Sequence, residues 1–219
     1  MKSFKNKAEE VRGDLSAHFP HLNFSVEAVK NPPQKLAACV DEIDTFLEGG
    51  IPFGGVTEFG MPLGREGRVL MLKYLINATC GIRIKPVWTL WISCHEEFQV
   101  FPPAWFSRGV SPEKIVFTNS RKPLQDLKRA IINPLFKLIV LDSPPRFSKE
   151  DCFFLSRQAR ENHQLIMLLR HFFLTNRQGN IWANLRMNCW KKHASGEFII
   201  KVIRGLSDRQ LSIKEEVLK

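Results

Sequence analysis

The sequence predicts an α/β fold: a mostly parallel sheet flanked by helices, with a C-terminal antiparallel β-hairpin. Three observations carry this. Five short segments are nearly continuous in apolar residues, the pattern of strands covered on both faces. Helical patterns lie between them, so strand, helix and strand recur within a short length of chain. Beyond Gly179 two strand-like runs flank a turn-rich KKHASG, which reads as a hairpin that closes the sheet edge or protrudes from it.

Taken in order, residues 5–17 place Ala8, Val11 and Leu15 at helical spacings, and the NPPQK stretch with Pro32 and Pro33 forbids helix and marks a linker. The predicted organisation is therefore an N-terminal helical element and linker over 1–33, a core over 34–175 and a basic hairpin and tail over 176–219. The predicted core strands are VTEFG (56–60), VWTLWIS (87–93), KIVFTN (114–119), KLIVLDS (137–143) and QLIMLLR (164–170). Pro123 suits a first helical position, with Leu124, Leu127 and Ile131 on one stripe. Ser148 and Asp151 have the spacing of a capping box ahead of Phe153, Phe154 and Leu155. The hairpin strands are ANLRMNCW and EFIIKVIRG.

At 219 residues, with 44% hydrophobic and 25% charged residues, the chain can bury a sizeable core, and its composition excludes long disorder or low-complexity fibres. The 32 Lys and Arg against 22 Asp and Glu leave a formal charge of +10, which favours an anionic partner. Nine Lys and Arg against four acids in 176–219 put half of that excess in the last fifth of the chain. Cys39, Cys80, Cys94, Cys152 and Cys189 are odd in number, widely spaced and form no C-x-x-C, so they read as buried thiols of a reducing cytoplasm, with no zinc site. The opening MKSFKNKAEEVRG has no apolar h-region and no run approaches the roughly 18 apolar residues of a membrane span. A cytoplasmic location follows as the expectation.

The most informative segment is EGGIPFGGVTEFGMPLGREGRVLMLKYL, a strand, a Gly-rich loop with Gly60, Gly64 and Gly67, and an apolar helix. That is the layout of a phosphate-binding loop, in which backbone N–H groups wrap the phosphate, a lysine neutralises it and a Ser or Thr holds magnesium. Here the lysine position carries Glu66, or Arg65 or Arg68 if the register shifts, and no hydroxyl follows. The loop reads as degenerate, so no cofactor is expected. An active alternative would bind ATP and magnesium with arginine in place of lysine. Asp142, at the tip of KLIVLDS, stands where a magnesium-coordinating carboxylate sits in such folds. Glu96, in CHEE after the second core strand, is the candidate to activate water; His95 has no second ligand at metal spacing. In the C-terminal part, Trp182 and Trp190 alternate with Arg186, Lys191 and Lys192, and Lys201 and Arg204 follow. This mixture suits either stacked bases on a phosphate backbone or a protein-docking surface.

The order IDTFLEGGIPFGGVTEFG, glycine loop, WISCHEE, GVSPEKIVF and FKLIVLDS resembles the P-loop ATPase core of the RecA recombinase group over about residues 36–175, GGIPFGGVTEFG being its most specific part. Within that group the degenerate loop and basic C-terminal hairpin look most like the ImuA-type error-prone repair proteins, to which the division inhibitor SulA is related. The resemblance implies a non-catalytic accessory protein of DNA-damage-induced translesion synthesis. Its implied partners are a translesion polymerase homologue and an alternative replicative-type polymerase subunit, with single-stranded DNA or RecA as further partners at the nucleoid. It places the family's phosphate-loop glycine on Gly60, its strand-end aspartate on Asp142 and its catalytic glutamate on Glu96 or, ungapped, His95. The alternatives are an active DNA-dependent ATPase and a SulA-like inhibitor of cell division.

Overall fold

The computed structural model describes residues 35–95, 100–206 and 209–218. The helix expected at 5–17, the linker prolines and Glu96 lie outside these. The described strands are β1 (Lys35–Leu36), β2 (Ile51–Pro52), β3 (Gly55–Gly60), β4 (Trp88–Ser93), β5 (Ile115–Asn119), β6 (Phe136–Asp142), β7 (Leu165–Arg170), β8 (Leu185–Lys192), β9 (Glu197–Arg204) and β10 (Gln210–Lys214). The helices are α1 (Asp41–Phe46), α2 (Val69–Cys80), α3 (Pro102–Phe106), α4 (Pro123–Asp126), α5 (Lys128–Ile131) and α6 (Lys149–Glu161).

Eight strands form one mixed sheet in the order β10-β9-β8-β3-β7-β6-β4-β5, and β1 pairs with β2 separately. From β8 to β5 every pairing is parallel; β8-β9 and β9-β10 are antiparallel. The five apolar core segments each become a parallel strand, and every residue of β3, β4 and β7 is buried. Layers on both faces explain this: one core gathers Leu70, Tyr74, Trp91, Val140, Met187 and Ile200, and the other Val56, Leu90, Leu141, Leu155 and Leu168.

Local chemistry sets the boundaries. Gly81, at φ 77°, ends α2 in the left-handed region, its N–H bonded to the Asn77 carbonyl. Ser148 and Asp151 close the capping box of α6, each backbone N–H reaching the other's side chain at 3.1 Å. The stripe after Pro123 is broken at Leu127 into two short helices. The hairpin forms over the expected runs, and β8 pairs in parallel with β3, so it continues the sheet instead of ending at its edge. The alternation of Gln210, Leu211, Ser212, Ile213 and Lys214 was a strand signal left unread, whereas the two-residue strands β1 and β2 are too short to show a period.

Candidate functional site

The carboxyl ends of the parallel strands bring together the Gly-rich loop after β3, Asp142 after β6, His95 after β4 and the tip of the β8-β9 hairpin, which overshoots β3 along the same edge. Gly60 must lack a side chain. A Cβ there would strike the Asn188 side-chain oxygen and lie 2.8 Å from both Leu174 N and Phe172 O. Gly64 takes φ 73° in open space, and Glu66 adopts the same left-handed region at φ 52°. A Cβ on Gly67 would strike the Cys189 carbonyl oxygen of β8.

The hairpin tip stitches this loop down. Lys191 N–H donates to the Arg65 carbonyl at 2.7 Å, and the His193 ring meets the Gly64 carbonyl at 3.0 Å. The Lys191 ammonium bridges Glu66 at 3.0 Å and Glu215 at 2.8 Å. Its hydrogen bonds to Glu215 and then Glu66 raise its pKa above the ordinary lysine range.

Arg68, the residue preceding α2, turns across the edge to Asp142. Its Nε and Nη2 donate to Asp142 Oδ1 at 3.0 and 2.7 Å, Nη2 also donates to Ser143 Oγ at 2.8 Å, and Nη1 reaches the Met61 carbonyl at 3.3 Å. Ser143 adopts φ 55°, which turns its hydroxyl back onto Asp142 at 3.2 Å. The loop's cation and the strand-end carboxylate therefore neutralise each other. A phosphate would compete with Asp142 for Arg68, and a magnesium ion would compete with Arg68 for Asp142. Val69 stands where a phosphate loop has its hydroxyl, which leaves Asp142 and Ser143 to hold any metal.

Around this pair, the His95 and His171 rings lie 6.5 Å apart. Among the described residues no group of three or more His, Cys, Asp or Glu is placed to hold a metal. Burial, with the Asp142 carboxylate adding to it, pushes the Cys94 thiol up to about 12. A depression of about 130 Å3 lined by Ser93, Phe117, Thr118 and Asn119 lies at the β4-β5 end, well below the roughly 300 Å3 of small-molecule sites.

The predicted basic and aromatic set does not stay together. Lys192, Lys201 and Arg204 are exposed, and Trp190 is half-buried against Phe173 at 5.3 Å. Lys191 is spent on Glu66 and Glu215. Trp182 precedes the hairpin and packs on Phe153 of α6 at 6.2 Å. Arg186 leaves the surface altogether: its side chain is 3% exposed, with Nε on Glu58 Oε2 at 3.2 Å and Nη2 on the Thr175 carbonyl at 3.0 Å and on the Gln178 carbonyl. It faces the sheet interior because β8 pairs in the middle of the sheet.

Glu58, fully buried in β3, also accepts from Arg170 Nε at 2.8 Å and from Asn180 N–H at 2.7 Å. Arg170 in turn donates to the Pro144 and Pro145 carbonyls at 3.0 Å. This Arg-Glu-Arg network, which ties the connection between β7 and β8 to the sheet, was missed. Its signal was present: charged residues inside or ending runs read as fully buried strands demand partners of opposite sign.

Fold and site together define an α/β protein whose carboxyl-edge loop is closed onto its own strand-end carboxylate. No protein-family model matches the chain, and no curated protein matches its sequence. Among the described residues no helix is long and apolar enough to cross a membrane.

Proposed function

We propose that the protein is a RecA-like, non-catalytic accessory factor of DNA-damage-induced translesion synthesis in the cytoplasm, acting by binding polymerase partners and single-stranded DNA. The observation that carries the non-catalytic part is the Arg68-Asp142 pair, which commits both charges a nucleotide and its magnesium would need. The repair assignment rests on the resemblance of GGIPFGGVTEFG, WISCHEE and FKLIVLDS to the RecA group. Its support is geometric: the loop that follows the first of these segments and the aspartate that ends the third meet at one edge, through strands separated by β7 alone.

The active-ATPase alternative puts Arg68, the arginine of the G-R-V register, in the lysine's place, which requires it to leave Asp142 for the phosphate. Binding of a fluorescent ATP analogue with and without magnesium, on wild type and Asp142→Ala, separates the two. No binding at millimolar nucleotide is the expected result; magnesium-dependent binding lost in the variant would establish the ATPase instead. Co-purification with the polymerase partners from DNA-damaged cells tests the assignment to repair, and recovery of a cell-division protein in their place would overturn it.

A further inference from the structure

We propose that β10 is a docking edge for an extended, acidic segment of a protein partner, which adds to the sheet as a further strand. This rests on the adaptor reading and specifies the partner's chemistry. The strand ends the eight-stranded sheet and, among the described residues, pairs only with β9.

The phase of that ladder fixes what β10 offers. Val202 N–H donates to the Arg209 carbonyl, and Glu215 N–H donates to the Gly196 carbonyl. Antiparallel pairs alternate between bonded and non-bonded positions, so Leu211 and Ile213 bond to β9 while Gln210, Ser212 and Lys214 direct their N–H and C=O groups away from it. The outward edge thus presents donors and acceptors in alternation, which a peptide backbone satisfies. A DNA backbone offers phosphate acceptors and would leave the three carbonyls without donors.

Charge sets the composition of the incoming strand. Gln210, Ser212 and Lys214 are exposed on one face with Lys192, Lys201 and Glu197, in the cross-strand rows Lys192-Glu197-Lys214 and Lys201-Gln210. Glu197 is held by the Ser195 hydroxyl at 2.7 Å, and that bond, then one from Ser212, keeps its pKa below the usual range. The face therefore carries three lysines against one satisfied carboxylate. A strand laid beside β10 would set an acid next to Lys214 and, on the opposite face, an apolar residue next to Leu211, which is half-buried against the larger core. Pairing with a second copy would instead bring two such lysine faces together in a chain of formal charge +10.

The test is fluorescence anisotropy on the full chain with a labelled peptide of alternating Asp and Val, a Lys-Val counterpart and oligo-dT. Ser212→Pro removes one outward donor while keeping the charge and every β9-β10 backbone bond, at the loss of the Ser212 hydroxyl's bond to Glu197, and Lys214→Glu reverses one charge. The expected result is binding of the Asp-Val peptide alone, weakened about fivefold or more by Ser212→Pro and likewise by Lys214→Glu. Far-UV circular dichroism controls for folding, and if Ser212→Pro misfolds, Lys214→Glu decides. No binding of the Asp-Val peptide, equal binding of the Lys-Val peptide, indifference to both substitutions, or displacement of the peptide by oligo-dT would overturn the proposal. So would a wild-type dimer in sedimentation that Ser212→Pro dissociates. Nucleotide binding by the same preparations reports on the adaptor reading separately.

Discussion

Replacing Arg68 by methionine keeps an aliphatic stem at the loop but removes the cation that, among the described residues, pairs with Asp142. At 2.7–3.0 Å and an effective dielectric of about 20, opposite unit charges attract by about 6 kcal/mol. The desolvation of Asp142, whose side chain is 9% exposed, offsets part of this, and the 26% exposure of Arg68 screens more. Loss of the pair, with the carboxylate left to the Ser143 hydroxyl, is expected to cost about 2–3 kcal/mol. In urea, with a slope of about 2 kcal/mol per molar, the unfolding midpoint should fall by about 1–1.5 M. A cycle with Asp142→Asn isolates the interaction, since the double variant should lose much less than the sum of the singles, by at least about 1.5 kcal/mol. Additivity within about 0.5 kcal/mol would show that the two charges are not coupled in solution, and the closed-loop account of the site would fall with it.

Four further outcomes are expected. Glu58→Gln strands the guanidinium groups of Arg170 and Arg186 in the interior; a loss of about 3–5 kcal/mol should lower the melting temperature by roughly 6–20 °C in a thermal scan. Gly67→Ala drives a methyl group into the Cys189 carbonyl and should destabilise the chain in urea by about 1–3 kcal/mol, whereas alanine at Gly64 meets no neighbour and carries only the cost of its left-handed φ. Burial pushes the Cys94 and Cys152 thiols up to about 12 and about 11 from 9.0. The unfolded chain therefore sheds these protons first as pH rises, so stability should decline from about pH 9 toward pH 12 in urea titrations. Of the five thiols the sequence predicts to be buried, Cys80 at the end of α2 is exposed and Cys39 half-buried, so at pH 8 a thiol reagent should label Cys80 quickly and leave Cys94, Cys152 and Cys189 protected until unfolding.

The five parallel strands were legible because a strand buried on both faces must be apolar throughout, and the Ser148 cap because its bonds close within four residues. The glycine loop and Asp142 were legible for a similar reason, as strand-end chemistry written in short segments. Their meeting was not. Arg68 and Asp142 are 74 residues apart, and only the placement of β3 and β6 on either side of β7 brings a guanidinium to that carboxylate. Composition predicted a basic C-terminal surface, but the pairing of β8 with β3 turned Arg186 inward to Glu58, and the hairpin tip bound Lys191 to the loop. Short-range order, hydrophobic period and capping belong to the sequence because their forces act over a few residues. Which charges meet, and which edge is left open, belongs to the tertiary structure, because strand order sets distances that no local pattern encodes.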